Sequence, residues 1–494
     1  MGRITLKSIV AIRSFFTEPM QLGRLLTTSW RWQHYHTIWT ALFLGWVVSY
    51  IDRSLTGPVV TWMITSQSSI LGDVTNPHAF GGLIGSLFFA GYMLTQFPGG
   101  YFGDKYGHRV VILISIFWAA LTTLLTGFIG GLFWFVALRV LTGLGEGAFY
   151  SNDRSIIAHT TPPEKIGLGM GIVISGLTLG LTIALLATPP VIAAAQPWLG
   201  REAWRAPFLL MSVPTLLVGL FLIRALRSAK RDGENAGTAL RGLTGYSAVF
   251  FVAIMAVYWA ATRLSVPPGT TGSILAAFAV AFLVYLFLAK RDSVGPVLFD
   301  RNLLLVYLSA MPILWHLWLY SFWAVDIIKD SGSSFMAAAL TASFNAIAGL
   351  IGFPLGGFLS DRRVRAGSSR KSVLVWLTAA EAATILAFAA LIILGIRNPV
   401  VVSLLLFVSG LFFFAQQSVS HALTAELAPP EHRGMAFGLW NLIAEIGALL
   451  SPVVSGSLRD HTGGWGAVLL LDGALMTASC LLVLGVKRTR ASPG

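Results

Sequence analysis

The sequence predicts an all-α polytopic membrane protein built from two related halves. Three observations lead there. The chain of 494 residues is 55% hydrophobic and only 11% charged, with a mean hydropathy of +0.75, whereas soluble proteins carry about 25% charge. Apolar runs of about 20 residues recur along it, the length that crosses a bilayer as a helix. Between two of them lies the charged turn Gly99-Gly100-Tyr101-Phe102-Gly103-Asp104-Lys105-Tyr106-Gly107-His108-Arg109, and a similar turn, Gly356-Gly357-Phe358-Leu359-Ser360-Asp361-Arg362-Arg363, returns later. A membrane chain that uses one turn twice reads as an internal repeat.

Taken in order, residues 1–35 hold Arg3, Lys7, Arg13, Arg24 and Arg31 against Glu18. With no long apolar core, this stretch reads as a cytoplasmic arm that can lie on anionic lipid rather than as a cleaved signal peptide. Six runs follow, at about 37–59, 79–100, 110–129, 131–156, 167–192 and 207–224, making an amino-terminal six-helix unit over 36–225. Residues 226–245 are polar and read as a cytoplasmic linker. Runs at about 247–264 and 270–289 form an extra pair (246–290), which reads as peripheral packing. After a connection at 291–302 come six more runs, at about 303–325, 335–360, 371–393, 398–420, 434–457 and 464–486, within a carboxy-terminal unit over 303–486 and before a short tail over 487–494. The expected total is fourteen transmembrane helices.

The net charge of +13 would suggest nucleic acid on a soluble protein. Here its distribution matters more. Arg53, Arg139 and Arg154 lie within apolar runs, and Arg201, Arg205, Arg263, Lys329, Arg397 and Arg459 lie on one side. The other lysines and arginines fall on the opposite side, which the positive-inside rule makes cytoplasmic, with both termini there. The expected location is a cell membrane, the bacterial inner membrane. Cys480 is the single cysteine, so no internal disulfide is available and no metal spacing exists. No phosphate-binding Walker loop is present. The reading calls for no cofactor, no metal and no nucleic acid, and a monomer suffices.

The two charged turns close the second run of each half. Glycine permits close backbone approach and non-helical dihedrals. Asp104 can face the positive end of a neighbouring helix while Lys105 and Arg109 hold the cytoplasmic surface. Gly103, Asp104, Lys105, Gly107 and Arg109, with Asp361 and Arg362 in the second copy, read as a latch made in one conformation and broken in another. A static topogenic turn is the alternative.

Charge inside hydrocarbon is expensive and is retained mainly for a reason. Asp52 and Arg53 lie late in the first run, Arg139 and Glu146 in the fourth. Seven helical residues span ~10 Å along one face, so Arg139 and Glu146 are expected to line one stripe facing a central cavity. Arg53 and Arg139 offer positive charge to an anion, and the guanidinium fork matches a carboxylate. Asp52 and Glu146 are candidate proton carriers. Charge pairs that merely hold helices together are the alternative. Asp153 and Arg154, further along, read as interhelical structure or gating. In the second half, Asn441 and Glu445 are one turn apart, Glu445 being either a further proton site or the partner of His421 or His316. Gln416, Gln417, Asn345, Tyr320 and His316 are further candidates for the cavity wall, although an aromatic stripe is more often packing.

These residues carry a family resemblance. Gly99 to Arg109 resembles the loop signature of the major facilitator superfamily, with a weaker copy at Gly357 to Arg362. Tyr50-Ile51-Asp52-Arg53, Arg139 to Glu146, Pro163-Glu164-Lys165, Pro429-Pro430-Glu431-His432-Arg433-Gly434 and Gly438-Leu439-Trp440-Asn441 resemble the anion:cation symporters, which include carriers of sugar acids. The resemblance implies the major facilitator fold, two six-helix bundles here joined by an inserted pair. It implies that acids matching Asp52 and Glu146 carry protons, that arginines matching Arg53 and Arg139 hold a carboxylate, and that Asn441 binds substrate, with Tyr50 beside them. The activity implied is proton-coupled uptake of a small organic anion by alternating access. A proton-coupled exporter of the fourteen-helix type is the rival, favoured by the helix count and disfavoured by the buried arginines. A buried hydrolase would need a nucleophile and base that no local pattern supplies.

Overall fold

The computed structural model describes residues 32–66, 70–71, 74–162, 166–229, 234–289, 291–396, 398–429 and 432–487. Most of the basic arm, residues 163–165, Arg397, Pro430-Glu431, the tail from residue 488 and the side chain of Arg433 lie outside the described residues.

The described chain is helical. Its α-helices are α1 (His34–Thr65), α2 (Pro77–Tyr106), α3 (His108–Thr126), α4 (Leu132–Glu146), α5 (Phe149–Thr160), α6 (Ile166–Leu199), α7 (Arg205–Ala225), α8 (Ala236–Arg263), α9 (Pro268–Ala289), α10 (Arg291–Leu298), α11 (Arg301–Asp330), α12 (Phe335–Arg365), α13 (Arg370–Ile393), α14 (Pro399–Leu427), α15 (Arg433–Thr462) and α16 (Gly466–Leu484). Among the described residues, 12 helical spans are long and apolar enough to cross a membrane. This is a multi-pass, all-α membrane protein.

Local chemistry sets the helix ends. Asp300, Ser334 and Asn398 cap α11, α12 and α14 by accepting from the backbone N–H of Leu303 (2.8 Å), Ala337 (3.2 Å) and Val400 (3.0 Å). Gly107, at φ 104°, separates α2 from α3 in a conformation that disfavours any side chain.

Two elements carry local detail beyond the sequence expectation. The fourth run is one span, Leu132–Ile157, with a short turn after Glu146 that divides it into α4 and α5. Here a Cβ on Gly143 or Gly147 would run into the backbone carbonyl of Phe88 or Tyr92 on α2, so α2 lies directly against the turn. The polar stretch 226–245 is helical from Ala236 onward. Asn235 caps it through Thr238 N–H at 3.0 Å, and Tyr246 packs its ring on Phe102 of α2, 5.8 Å between centroids. Docking on α2 outweighs local polarity.

Helices α1–α7 pack mainly among themselves, as α1 on α6 and α7, and α2 on α4. Helices α11–α16 do likewise, as α12 on α14, and α13 on α14 and α16. Three seams join the sets: α2 against α15, α6 against α12, and α1 against α11. Small residues let these backbones meet, since a Cβ on Gly82 would strike the Pro452 carbonyl and one on Gly57 would strike Phe322. The extra pair packs over a seam rather than away from it, with α9 touching both α2 and α15.

Candidate functional site

Adjacent helical residues point about 100° apart, and that separation organises the buried charges of α1. Asp52 turns toward α3 and α4. It accepts from the Thr123 hydroxyl at 2.7 Å and from Arg139 at 3.3 Å. Arg139 also donates to Thr126 (3.1 Å) and Thr142 (3.2 Å) and lies under the Phe208 ring, 5.0 Å from its centroid. Arg53 turns the other way and meets Glu146 at 2.5 Å. Ser49, one turn earlier, donates to the same Glu146 oxygen at 2.7 Å. All four charges are at most 5% exposed. They form two neutral pairs between α1 and α4, which offsets much of the cost of burying them.

Two aromatic rings separate this charge from a cavity. The Arg53 guanidinium lies 4.9 Å from the Tyr50 ring centroid and 4.2 Å from that of Tyr92. Tyr50 and Tyr92, with Trp46 and Tyr150, form one wall; Trp318, Gln417, His421, Trp440, Asn441 and Glu445 form much of the other. The cavity is therefore lined by both helix sets. Tyr50 stacks on Trp318 across it, 5.8 Å between centroids. Glu445 Oε2 and His421 Nε2 are buried there without a hydrogen-bond partner among the described residues. The Asn441 amide donates to Gln96 at 2.7 Å.

Several expectations need correction. Arg139 does not face the cavity: it is enclosed among α1, α3, α4 and α7 and holds Asp52. Glu146 likewise lies behind the Tyr50 and Tyr92 wall. Gln416 is fully buried, and its neighbour Gln417 reaches the cavity instead, one residue turning the side chain by about 100°. Tyr320 packs on His316 and Phe388 away from the cavity. His316 does not pair with Glu445; its partners are Asp472 at 2.8 Å and Glu381 at 3.2 Å. Neither acid was expected, although each is a lone carboxylate in an apolar run, the signal that Glu146 also carries. Asp153 accepts from the Trp46 indole at 2.7 Å, an interhelical contact, and Arg154 lies 3.7 Å from Asp153 despite being adjacent.

At the charged-turn end, Asp104 is exposed and approaches the side chain of His108, the first residue of α3, at 3.4 Å. The exposed Lys105 lies near the rings of Tyr101 and Tyr106. Arg109 pairs with Glu234 at 3.2 Å, so the turn is tied to the segment entering α8. Gly103 packs against Asn152 and His108, and Gly107 against Glu234. In the second copy Arg370 bridges Asp361 (2.8 Å) and Glu426 (3.2 Å). Arg362 sits near the end of α12.

At the opposite end lies a clasp that the sequence reading missed. His78, at the start of α2, meets Asp460 of α15 at 2.7 Å and Asp326 of α11 at 3.2 Å. Asp460 also accepts from the Ala79 N–H at 2.8 Å, and Asp326 from the Trp465 indole at 3.1 Å. The clasp joins the two helix sets, and its members lie too far apart in the chain to form a motif.

Comparison with known proteins places this architecture. The family model described as Major Facilitator Superfamily matches residues 42–365 and 303–494. The chain belongs to the Major Facilitator Superfamily. It is 26% identical over 455 residues to the probable sulfoacetate transporter SauU of Cupriavidus necator, covering 91% of this chain and 93% of that one. It is 23% identical over 456 residues to the hexuronate transporter of Bacillus subtilis (90% and 92% covered) and 24% identical over 427 residues to the probable galactarate/D-glucarate transporter GudP of Escherichia coli (83% and 86% covered). The fold is similar to the crystal structure of a D-xylose-proton symporter, with a TM-score of 0.65, 15% identity and 92% and 98% of the two chains covered. It is also similar to a peptide transporter POT in complex with sulfate, at a TM-score of 0.68, 16% identity and 91% and 93% covered. The chain is a secondary active transporter of this superfamily.

Proposed function

We propose that this protein takes up a small organic acid anion together with protons, by alternating access at the cavity between its two helix sets. The Arg53–Glu146 contact of 2.5 Å, directly behind the Tyr50 and Tyr92 wall, carries the reading. While Glu146 is ionised it occupies Arg53. A proton on Glu146 weakens that pair and frees the guanidinium to hold the anion's carboxylate or sulfonate. Release of the anion returns Arg53 to Glu146 and expels the proton. Asp52 is the second proton carrier, and Arg139 is the cation that holds it. Tyr50, Asn441 and Gln417 present polar edges to the anion from opposite walls, and Glu445 is a further proton site facing it. The relatives' named cargoes, a sulfoacetate, a hexuronate and an aldarate, all bear an acid group on a small polar skeleton and support this class.

In this reading the two helix sets are six-helix bundles that rock about the cavity, with α8 and α9 as an inserted pair and fourteen membrane helices in all. The basic turns and both termini lie in the cytoplasm, and the His78 clasp closes the outer side. The paired charged turns tighten or loosen as the inner side closes or opens. The monomer is the working unit, in a bacterial inner membrane.

The test is the internal pH of proteoliposomes while sulfoacetate, glucuronate, galactarate and aromatic acids are added outside one at a time. Acidification driven by one acid, and abolished in Glu146→Gln and Arg53→Ala, is the expected result. No acidification with any acid, together with proton movement driven by lipophilic cations, would overturn it in favour of an exporter.

A further inference from the structure

The carboxy-terminal helices contain a second buried cluster that the mechanism above does not use. The His316 imidazole on α11 stands between two carboxylates, with Nδ1 2.8 Å from Asp472 of α16 and Nε2 3.2 Å from Glu381 of α13. All three side chains are at most 1% exposed. On α14, the Ser409 hydroxyl donates to Glu381 at 2.8 Å and Phe413 packs on the imidazole. On α13, Thr384 donates to Glu381 at 3.4 Å. On α11 itself, the Tyr320 ring lies 4.5 Å from the imidazole. From α15, Ser451 donates to the Trp315 carbonyl, and from α1, Ser54 accepts from Ser321; neither residue titrates. Among the described residues no lysine or arginine pairs with either acid.

Charge balance separates this cluster from the amino-terminal one. Asp52, Arg53, Arg139 and Glu146 are two acids and two bases and are neutral as they stand. Two ionised acids around a protonated histidine leave one negative charge, and around a neutral histidine they leave two. Uncompensated charge in a low-dielectric interior is costly, and the cluster is neutral only with one more proton than its single imidazolium supplies. Asp472 Oδ1 and the Tyr320 hydroxyl are buried there with no hydrogen-bond partner among the described residues.

We propose that His316, Glu381 and Asp472 form a second proton-binding site, which takes up and releases one proton in each transport cycle. An O–H bond forms at a carboxylate oxygen as hydronium gives up its proton, and it breaks when water accepts the proton on the other side. Helix α11 links the site to transport. Leu314 and Trp318, two residues on either side of His316, line the cavity, and Ser321 donates to Ser54 of α1 across the seam at 3.1 Å. Because α11, α13 and α16 belong to one bundle, the link runs through bending of α11 itself as the bundles rock: Pro312, one turn before His316, interrupts its backbone hydrogen bonding, and a bend there lengthens the histidine–carboxylate contacts and changes the cluster's hold on its proton. The link to transport rests on the proton coupling proposed above; the existence of the site does not.

Two measurements on the full chain test it. Infrared difference spectra of purified protein between acid and alkaline buffer read the carbonyl band of protonated buried carboxyls. Glu381→Gln, which keeps a partner for Ser409, and Asp472→Asn should each remove one titrating carboxyl; an unchanged spectrum in both overturns the site. In proteoliposomes, the proton-to-anion ratio is measured from the reversal potential with glucuronate, galactarate and sulfoacetate. A ratio lowered by one in both variants, with anion exchange retained, supports the proposal. A coupled wild type whose ratio is unchanged in both variants overturns it. An uncoupled wild type overturns the symport reading and the per-cycle exchange with it, while the infrared result still decides the site.

Discussion

Neutralising Asp52 and Arg139 together should damage the protein less than the sum of the two single losses. The two charges lie 3.3 Å apart at about 2% exposure. Unit charges at that separation attract by about 5 kcal/mol at an effective dielectric of ~20. Breaking such a buried pair by removing one partner typically costs about 3–5 kcal/mol, because the survivor is left uncompensated. Asp52→Asn keeps a side chain for Thr123 to bond but leaves Arg139 with only Thr126 and Thr142. Arg139→Gln leaves Asp52 with Thr123. The double variant has no charge to strand. Equilibrium unfolding in mixed micelles at one pH, over the four proteins of the cycle, should therefore show two large single losses and a double loss smaller than their sum, with a coupling of about 1–3 kcal/mol. Additivity to within about 0.5 kcal/mol would refute the reasoning and return Arg139 to the role of an independent, cavity-facing cation.

Three further outcomes follow from the geometry. Breaking the His78 clasp with His78→Gln or Asp460→Asn removes a charge-assisted contact of about 1.5–3 kcal/mol. In a Cys480→Ser background carrying Ser321→Cys, an impermeant maleimide added on the clasp side should then label about tenfold faster; an unchanged rate would show that the clasp does not hold the sets together. Gly82→Leu forces α2 away from the Pro452 carbonyl, so the inserted protein should lose transport while still binding its anion, as judged by ligand-dependent thermal shift; wild-type transport would refute close approach at this seam. Asn441→Ala removes one polar edge of the cavity and should raise KM about tenfold with kcat little changed, a loss of about 1.4 kcal/mol of uniform binding; an unchanged KM would take Asn441 out of the site.

Fold class was legible because a bilayer demands long apolar helices and shows them in composition. The cost of buried charge made Asp52, Arg53, Arg139 and Glu146 visible, and Glu381 and Asp472 stand out by the same criterion. Element boundaries were less legible where packing overrode local signals. Thus α8 starts in a polar stretch where its Tyr246 meets Phe102, and the fourth run turns after Glu146 where α2 lies close against Gly143 and Gly147.

By itself, then, the sequence determined that the chain is a membrane helix protein with a repeated charged turn and charges too costly to be accidental. Only the tertiary structure decided the partners. Asp52 and Arg53 are neighbours in the chain, yet about 100° of helical rotation sends one to Arg139 and the other to Glu146. The same rotation brings Gln417 rather than Gln416 to the cavity. His78 and Asp460 are 382 residues apart and meet only because α2 packs along α15. Burial cost is a property of each residue and can be read singly. Pairing is a property of two helix faces, and it exists only once they dock.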